Sequence, residues 1–403
     1  MSQWPTMPLG EVCSFVGGGT PSRTKPEYFD GNIPWATVKD FKSFRLADTQ
    51  EHITEKAVAD SAANIVEPGT VLLVSRVGLG KVAIADTRIA INQDIKGLTP
   101  DDTIAPEFLF LFLLSQASRI ERMGAGATVK GVTLNDLKRI PIPVPSIPEQ
   151  GRIVDLLTRA EGIVRLRREA EKKAAELIPA LFLELFGDPA SNPKGWPVDK
   201  LDAVAKIISG ATKGRRFDPS EAIELPYMRV ANVKDGYLDL SEVKTIAVKR
   251  GEVEKYRLLP GDLLMTEGGD PDKLGRGALW SGEIETCLHQ NHIFKVRADR
   301  SRLLPEYLCE LVGSRYGKAY FLRVAKKTTG IATINRTQLG SFPVVVPPLS
   351  QQAEFVEKLG SVRSIQSQQS VATAKAQATF DALLARSFQP TPNGLSGMNQ
   401  IYP

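Results

Sequence analysis

The chain carries two copies of one sequence pattern, and this internal repeat constrains its fold more than any other feature. Residues 4–186 can be placed over residues 196–388 so that the same kinds of residue fall together. A duplicated sequence predicts a duplicated structure, so we expect two similar units. The pairs at one common offset are Trp4-Pro5 with Trp196-Pro197, Leu9 with Leu201, Val12 with Val204, Gly18 with Gly210, Thr20 with Thr212, and Pro68-Gly69 with Pro260-Gly261.

The closing segments of the two copies give the longest match. Residues 140–150 and 342–352 are rich in proline and align without a gap, and the register continues to Phe186 and Phe388. Elsewhere the alignment requires shifts. Ile33-Pro34-Trp35 matches Leu225-Pro226-Tyr227, Val38-Lys39-Asp40 matches Val233-Lys234-Asp235 after an insertion, Asn92-Gln93 matches His289-Gln290, and residues 106–109 match residues 305–308.

Each copy has the pattern of an α+β domain followed by a long helix. Short apolar runs between Gly and Pro residues, at 70–75, 81–85 and 293–296, predict strands. Proline near the start predicts helices at 106–123 and 305–324. Trp35 and Tyr227 are expected in the core. The predicted boundaries are 1–147 for the first globular domain, 148–187 for a central long helix, 188–348 for the second globular domain, 349–388 for a C-terminal long helix, and 389–403 for a disordered tail.

The two long helices are predicted to pair antiparallel as a coiled coil, related by a pseudo-two-fold repeat. Apolar and small residues recur at steps of three and four along both. Pro179 should kink the first helix near its end. A helix of about 37 residues spans about 55 Å, which favours a spacer over two ordinary buried helices. The residues assigned to the pairing seam are Ile153, Leu156, Ala160, Ile163, Ala170, Ala174, Leu177, Leu181, Phe355, Val362, Ile365, Ala372, Ala376 and Leu383.

Composition places the chain among ordinary folded proteins. It has 403 residues, 42% hydrophobic and 24% charged, with a net charge of +5 that permits a polyanionic partner. The longest apolar run, 108–114, is far shorter than the roughly 20 residues of a membrane span. Three scattered cysteines fit a reducing compartment, so we expect a cytoplasmic protein. Cys287, His289 and His292 lie close in sequence, but a polar strand face is favoured there and no metal site is predicted.

The motifs of common enzyme sites are absent from the sequence. It has no GxGxxG after a strand, no GxxxxGK[ST], no HExxH and no GxSxG. Residues 17–20 (GGGT) could cradle a phosphate, although a glycine-rich loop or bulge is favoured. The sequence therefore predicts a protein that binds, with no catalytic residues of its own.

Several segments together resemble the specificity (S) subunit of type I restriction-modification systems. The two copies follow each other in the right order, except that the second opens with SGATKGRRFDPSEAIELPY at 209–227 and lacks the GGTPS pattern of the first, and the resemblance extends from Trp4 to Phe388. The segments are PIPVPSIPEQ at 141–150, LFLELFGDP at 181–189, NPKGWP at 192–197, FPVVVPPLSQQ at 342–352, GGGTPSR at 17–23, IPWATVKD at 33–40 and LPYMRVANVKDG at 225–236.

This resemblance implies a non-catalytic subunit that binds double-stranded DNA and no membrane. Each globular domain would be a target recognition domain that reads one half of a bipartite site, while the paired helices set the gap and dock two methyltransferase (M) subunits. Those partners would carry S-adenosylmethionine, and motor-nuclease (R) subunits using ATP and Mg could join. Because the two copies differ at most polar positions, we expect an asymmetric target.

The DNA-contacting side chains are expected among polar and basic residues near glycine-rich turns. Two other hypotheses stay open: a helical scaffold without sequence-specific DNA binding, and a self-sufficient nuclease or methyltransferase, which the missing motifs disfavour. The candidates are Thr20, Ser22, Arg23, Lys25, Lys39, Arg76, Lys81, Gln93 and Lys130 in the first domain, and Lys213, Arg215, Arg216, Arg229, Asn232, Lys234, Arg276, Gln290, Asn291, Lys326 and Lys327 in the second.

Overall fold

The computed structural model describes residues 4–124, 131–270, 274–328 and 330–388. The fold is α+β, as the sequence predicts, and its contacts divide it into two compact units. Unit 1 comprises the chain up to Glu169 together with the residues from Val371 onward, and unit 2 comprises Ala170–Ser370. Lys130 and the tail at 389–403, both named in the sequence predictions, lie outside the described residues.

Unit 1 is built from short strands and short helices, followed by the first part of a long helix. Its strands are β1 (Thr6–Pro8), β2 (Cys13–Gly17), β3 (Ile33–Ala36), β4 (Arg45–Leu46), β5 (His52–Ile53), β6 (Asn64–Val66), β7 (Val71–Val74), β8 (Val82–Ala85), β9 (Ile89–Ile91), β10 (Ile95–Pro100) and β11 (Pro141–Pro143). Its helices are α1 (Leu9–Val12), α2 (Glu55–Ala59), α3 (Pro106–Ser115), α4 (Ala117–Met123), α5 (Leu134–Lys138) and α6 (Ile147–Ala175), the last of which continues into unit 2.

The strands of unit 1 form two larger sheets and one small ribbon. One sheet has the order β2-β10-β7-β8-β4, the other has the order β5-β3-β9-β6, and β1 pairs with β11. Strands β7, β8 and β9 are buried along their whole length, which explains why they are continuous apolar runs and not alternating ones. Helix α3 packs on β7 and β8.

Unit 2 repeats this plan. Its strands are β12 (Val198–Lys200), β13 (Ala205–Ser209), β14 (Ala222–Met228), β15 (Lys244–Lys249), β16 (Leu263–Thr266), β17 (Gly268–Gly269), β18 (Gly277–Leu279), β19 (Leu288–His289), β20 (Ile293–Ala298), β21 (Lys326–Thr328), β22 (Ile331–Thr333) and β23 (Pro343–Val345). Its helices are α7 (Leu177–Phe186), α8 (Leu201–Val204), α9 (Val253–Tyr256), α10 (Pro305–Gly313), α11 (Arg315–Val324), α12 (Arg336–Gly340) and the first part of α13 (Leu349–Phe388).

The pairing of the strands confirms the repeat. Strand β1 pairs with β11 in unit 1 as β12 pairs with β23 in unit 2, and β2 pairs with β10 as β13 pairs with β20. The parallel pair β3·β9 likewise corresponds to β14·β19, with Trp35 and Tyr227 at matching places. Both rings are buried, at 2% and 1% exposure, as expected.

Two parts of the sequence alignment were wrong. The turn Val38–Asp40 corresponds to Val230–Asn232 without any insertion, because Asn92 N donates to Ala36 O as Gln290 N donates to Met228 O. The second of those bonds also shows that Gln290 corresponds to Asn92, one position away from the predicted pairing with Gln93. The loops of the two copies are too dissimilar in sequence to fix their alignment, whereas the backbone hydrogen bonds show which residues correspond.

The long helices have the expected extent, with one interruption. The first is broken at Glu176, three residues before Pro179, into α6 and α7, while α13 is continuous over 40 residues. Both α6 and α13 contribute segments to each unit. In unit 2 the first long helix runs antiparallel to α13. The Gln366 side chain of α13 donates to Ala174 O of α6 at 2.8 Å, and Phe182 of α7 packs edge-on against Phe355 of α13.

Four of the predicted pairing residues lie at the surface instead. Leu156, Ile163, Leu177 and Ile365 are 41 to 54% exposed. Their neighbours Leu157 and Val164 are buried in their place, so this part of the seam was predicted one position too early. Among the other pairing residues, Ile153, Ala174 and Phe355 are buried, whereas Ala160, Ala170, Leu181, Val362, Ala372, Ala376 and Leu383 are partly buried.

Over the part of the chain that is described, no helix has the length and apolar character that a membrane span requires.

Candidate nucleic-acid interface

Loops of unit 1 meet at one end of its sheets and form a surface that we call rim 1: residues 18–20, 37–40, 75–81, 92–94 and 131–132. Backbone hydrogen bonds join the loops. They run from Gly19 N to Ile91 O (3.0 Å), Asn92 N to Ala36 O (3.1 Å), Ser75 N to Asp94 O (2.8 Å) and Val132 N to Ser75 O (2.9 Å). A Cβ on Gly18 would lie 2.0 Å from Ile91 O, so only glycine permits this approach.

Rim 2 is the matching surface of unit 2: residues 210–212, 229–232, 266–269, 274–276, 290–292, 326–328 and 331–334. The same four bonds recur. They run from Ala211 N to His289 O (2.8 Å), Gln290 N to Met228 O (3.0 Å), Glu267 N to His292 O (3.0 Å) and Ile334 N to Glu267 O (2.8 Å). Gly210 takes the place of Gly18, since its Cβ would lie 2.1 Å from His289 O.

The turn between β9 and β10 and the matching turn between β19 and β20 carry different side chains. Rim 1 has Asn-Gln-Asp at 92–94, and rim 2 has Gln-Asn-His at 290–292. Gln93 is exposed, and its side-chain oxygen accepts a hydrogen bond from the Thr20 hydroxyl. His292 Nδ1 lies 2.7 Å from a Glu267 carboxylate oxygen. The two rims therefore offer different donors and acceptors on one backbone framework.

Basic residues flank both turns. On rim 1, Lys39, Arg76 and Lys81 are exposed, and the Arg76 guanidinium is 3.8 Å from Asp94. Arg276 of rim 2 corresponds to Lys81, because Thr266 N donates to Arg276 O as Val74 N donates to Lys81 O.

Strand β21 adds two further cations to rim 2. Lys326 pairs in register with Thr333 and Lys327 with Ala332, and both lysines are exposed. Strand β22 in turn pairs with β17, which follows Glu267. The structure thus brings Lys326 and Lys327, which are far from Gln290 in sequence, to the same surface.

Other candidates in unit 1 are engaged within the protein. Arg23 makes two hydrogen bonds to Glu51, at 2.6 and 2.8 Å, and lies over the Phe29 and Trp35 rings. The hydrogen bond from Arg23 lowers the pKa of the Glu51 carboxyl below its usual value. Lys25 donates to the Tyr28 hydroxyl at 2.7 Å. These bonds, and that between the hydroxyls of Ser22 and Thr24, leave fewer donors for DNA.

Several candidates in unit 2 are engaged in the same way. Arg215 is 3.0 Å from both Glu252 carboxylate oxygens and lies over the Phe217 ring. Arg229 donates to Glu242, and Lys234 is 3.7 Å from Asp239. Lys213 and Arg216 are exposed.

Asn232 was wrongly predicted as a DNA contact. It is 2% exposed, and its side-chain NH₂ donates to Asp239 O at 2.8 Å and Glu242 O at 3.0 Å. Its side-chain oxygen accepts from Arg229 N, which closes the turn. Asp40 fills the same place in unit 1, where Thr37 N donates to its carboxylate at 2.8 Å. A polar residue beside a glycine-rich loop in sequence can therefore be a buried turn anchor.

Sequence reasoning missed Asp94, His292 and Glu267 as members of the rims. The misplaced alignment ended the matched turn at Gln93 and Gln290, and so it did not include Asp94 and His292. Glu267 lies outside that turn. A search for polar residues in the whole turn, up to Ile95 and Ile293, would have included Asp94 and His292.

No group of His, Cys, Asp or Glu suited to a metal ion occurs within the described ranges. His289 is buried, and its Nδ1 lies 2.9 Å from Tyr256 O. Burial raises the pKa of each thiol, Cys13, Cys287 and Cys309, to about 12. These thiols are therefore core residues and not reactive thiolates.

Comparison with known proteins identifies relatives. A family model described as the type I restriction modification DNA specificity domain matches residues 1–176. A type I restriction enzyme specificity subunit from Methanocaldococcus jannaschii is 31% identical over 279 residues, which cover 63% of the chain and 64% of that relative. Another from Escherichia coli is 32% identical over 182 residues, which cover 43% of the chain and 45% of the relative. The matched part thus spans less than two thirds of either relative.

A solved structure shares the fold over nearly the whole length. It comes from work on complex assembly and conformational transition of the type I R-M system. The TM-score is 0.62 at 20% sequence identity, and the match covers 96% of this chain and 97% of that one.

Proposed function

We propose that the chain is the DNA sequence-specificity subunit of a type I restriction-modification complex, because residues 1–176 match the family model described as the type I restriction modification DNA specificity domain. In this role it is not an enzyme. It selects the DNA sequence on which its partner subunits act.

The observation that carries the proposal is the pair of rims. Four backbone hydrogen bonds recur in both, yet the turn at 92–94 carries Asn-Gln-Asp and the turn at 290–292 carries Gln-Asn-His. Amide side chains recognise adenine, and arginine or lysine recognises guanine, through the edges of the bases. Two rims of different chemistry suit a target of two unlike blocks, each read by one unit.

Basic side chains on the rims suit the phosphates beside those blocks. Lys39, Arg76 and Lys81 on rim 1, and Arg276, Lys326 and Lys327 on rim 2, would position the duplex without reading its sequence. Base contacts are assigned to Gln93, Gln290 and Asn291.

The long helices fit the roles of spacer and docking surface. Helix α13 has 40 residues, a length of about 60 Å, whereas half-sites one duplex turn apart are about 34 Å from each other. Leu156, Ile163 and Leu166 of α6 are 41 to 58% exposed, and Leu156 and Ile163 are seven residues apart, on one helix face. An apolar face of this kind suits an adenine-methyltransferase subunit.

Under this proposal the cofactors belong to the partners. The methyltransferase subunits bind S-adenosylmethionine, and a motor-nuclease subunit, where one joins, uses ATP and Mg.

The test is to express the chain with the methyltransferase subunit encoded beside it and to map N6-methyladenine across the host genome. We expect an asymmetric motif of two short blocks with a fixed gap, which disappears when the chain is omitted. A stable complex that methylates no such motif, although the methyltransferase binds S-adenosylmethionine, would favour the scaffold hypothesis. Methyl transfer or Mg-dependent cleavage by the purified chain alone would contradict a non-catalytic role.

A further inference from the structure

Gln150 is a fully buried polar side chain in the first turn of the long helix α6. Its side-chain oxygen accepts a hydrogen bond from Ala105 N at 2.8 Å. Its side-chain nitrogen donates to Thr103 O at 2.7 Å and to Pro145 O at 2.9 Å. One amide therefore joins three segments: the loop before α3, the proline-rich bridge and the start of α6.

Gln352 makes the same three bonds at the start of α13 in unit 2. It is also fully buried, and its oxygen accepts from Leu304 N at 2.7 Å. Its nitrogen donates to Arg302 O at 3.0 Å and to Pro347 O at 2.8 Å. We call each set of three bonds a glutamine clamp.

Only an amide of this length satisfies both kinds of partner in the clamp. The site requires one acceptor and two donors on a single side chain, and glutamine supplies them. Glutamate would keep the acceptor but lose both donors, and leucine would leave three backbone groups without their partner. The segments IPEQ and LSQQ at the starts of the two long helices both end in glutamine, and the clamp explains this shared residue.

Each clamp lies between a long helix and the sheet that carries a rim. In unit 1, Ala105 immediately precedes α3, which packs on β7 and β8, and residues 75–81 of rim 1 connect those two strands. In unit 2, Leu304 immediately precedes α10, which packs on β18 and β20. In both units a packed helix thus connects the clamp to the sheet that carries the rim.

We propose that Gln150 and Gln352 are positioning residues that fix the direction in which each long helix leaves its recognition unit, and so fix the gap between the two blocks of the DNA target. This inference rests on the proposed function. Neither residue touches DNA. With a clamp removed, a unit still reads its own block, but it tolerates a change in the distance to the other block.

The test compares gap preference in the complex of the full chain with its methyltransferase. Plasmids carry the two blocks at the native gap and at gaps one base pair shorter and longer, and the extent of adenine methylation is measured at each. For Gln150→Leu and for Gln352→Leu we expect the preference for the native gap to fall about tenfold, with both blocks unchanged in sequence, because three directional bonds are lost.

A matched pair of variants controls for loss of stability. Leu137→Ala and Leu339→Ala each remove a fully buried side chain from α5 or α12, in unit 1 and unit 2, without touching a clamp. They should lower the melting temperature and leave the gap preference unchanged. Where a leucine variant does not accumulate, Gln150→Glu or Gln352→Glu replaces it, because glutamate keeps the shape of the side chain. The extent of methylation at the native gap is again compared with that at the shorter and longer gaps.

Two results would overturn the inference. One is an unchanged gap preference in the glutamine variants, and the other is an equal loss of preference in the alanine controls. Failure of the proposed function is distinguishable from both, since the unsubstituted chain would then direct no two-block methylation at all.

Discussion

Asp94 and His292 occupy the same backbone position in the two units. Ser75 N donates to Asp94 O at 2.8 Å, and Glu267 N donates to His292 O at 3.0 Å. One position thus carries a carboxylate near Arg76 and the other an imidazole beside Glu267, at 3.8 and 2.7 Å. The same backbone hydrogen bond therefore holds an acidic side chain in unit 1 and an imidazole in unit 2.

Gln93 and Asn291, which occupy corresponding positions in the two rim turns, should act on different blocks of the target. We expect Gln93→Ala to relax one base position in one block and Asn291→Ala to relax a position in the other, each by about 1 to 3 kcal/mol of discrimination. The measurement is the methylated motif that each variant directs. If both substitutions relaxed the same block, the assignment of one block to each unit would be wrong.

The lysines of β21 should contact phosphate and not bases. Lys326→Glu and Lys327→Glu should each weaken DNA binding uniformly across sequences and reduce the slope of log K against log salt by about 0.9. Affinity is measured by fluorescence anisotropy between low and moderate salt. Lys200→Glu is the control, because Lys200 is exposed before β13 begins, at the opposite end of that strand from the rim. An equal effect of this control would show that overall charge alone is responsible.

His289 should make unit 2 sensitive to acid. Burial lowers its pKa to about 4 from 6.5, so between pH 6.5 and 4 the unfolded chain binds a proton that the folded unit does not. The free energy of unfolding of unit 2 should therefore fall as the pH falls through this window, by at most about 3 kcal/mol from this residue.

Hydrogen exchange of the β19 and β20 amides at several pH values measures that effect. Unit 1 is the internal control, since Ile91 stands at the position of His289. His289→Ile should flatten the pH dependence of unit 2 relative to the unsubstituted chain. If the stability of unit 2 in the His289→Ile variant kept its full pH dependence, other titratable groups would be responsible for it.

Two kinds of glycine should respond oppositely to alanine. Gly18→Ala should destabilise unit 1 by about 3 kcal/mol or more, because the new Cβ would meet Ile91 O at 2.0 Å. Gly162→Ala in α6 meets nothing within 4 Å and should stabilise the helix by about 0.5 to 1 kcal/mol. Denaturant unfolding measures the free energy of unfolding of both variants. An unchanged free energy in Gly18→Ala would contradict the close approach of Gly18 to Ile91 O.

The long helices could be predicted to within a few residues because periodicity and proline boundaries are local signals. The side that faces the partner helix could not, since Leu156-Leu157 and Ile163-Val164 place apolar residues on two adjacent faces. Packing in three dimensions buries one member of each pair and leaves the other exposed.

The rims were only partly predictable for a different reason. Exposure of Lys81 follows from a turn that the sequence marks with Gly78 and Gly80. The bonds of Arg23 to Glu51 and the burial of Asn232 depend on residues 7 to 28 positions away, and no local pattern shows them. The approach of Lys326 to Glu267 depends on strand pairing over a still longer separation.

The discontinuity of unit 1 sets an order of events during synthesis. Phe380, Leu384 and Phe388 pack in the core of unit 1 with Phe108 and Phe112. That core is therefore incomplete until the last turns of α13 emerge from the ribosome. Unit 2, at 170–370, is uninterrupted and has all its residues earlier. The unit translated first is therefore the one completed last, and a nonsense codon shortly after residue 370 would damage unit 1 more than unit 2.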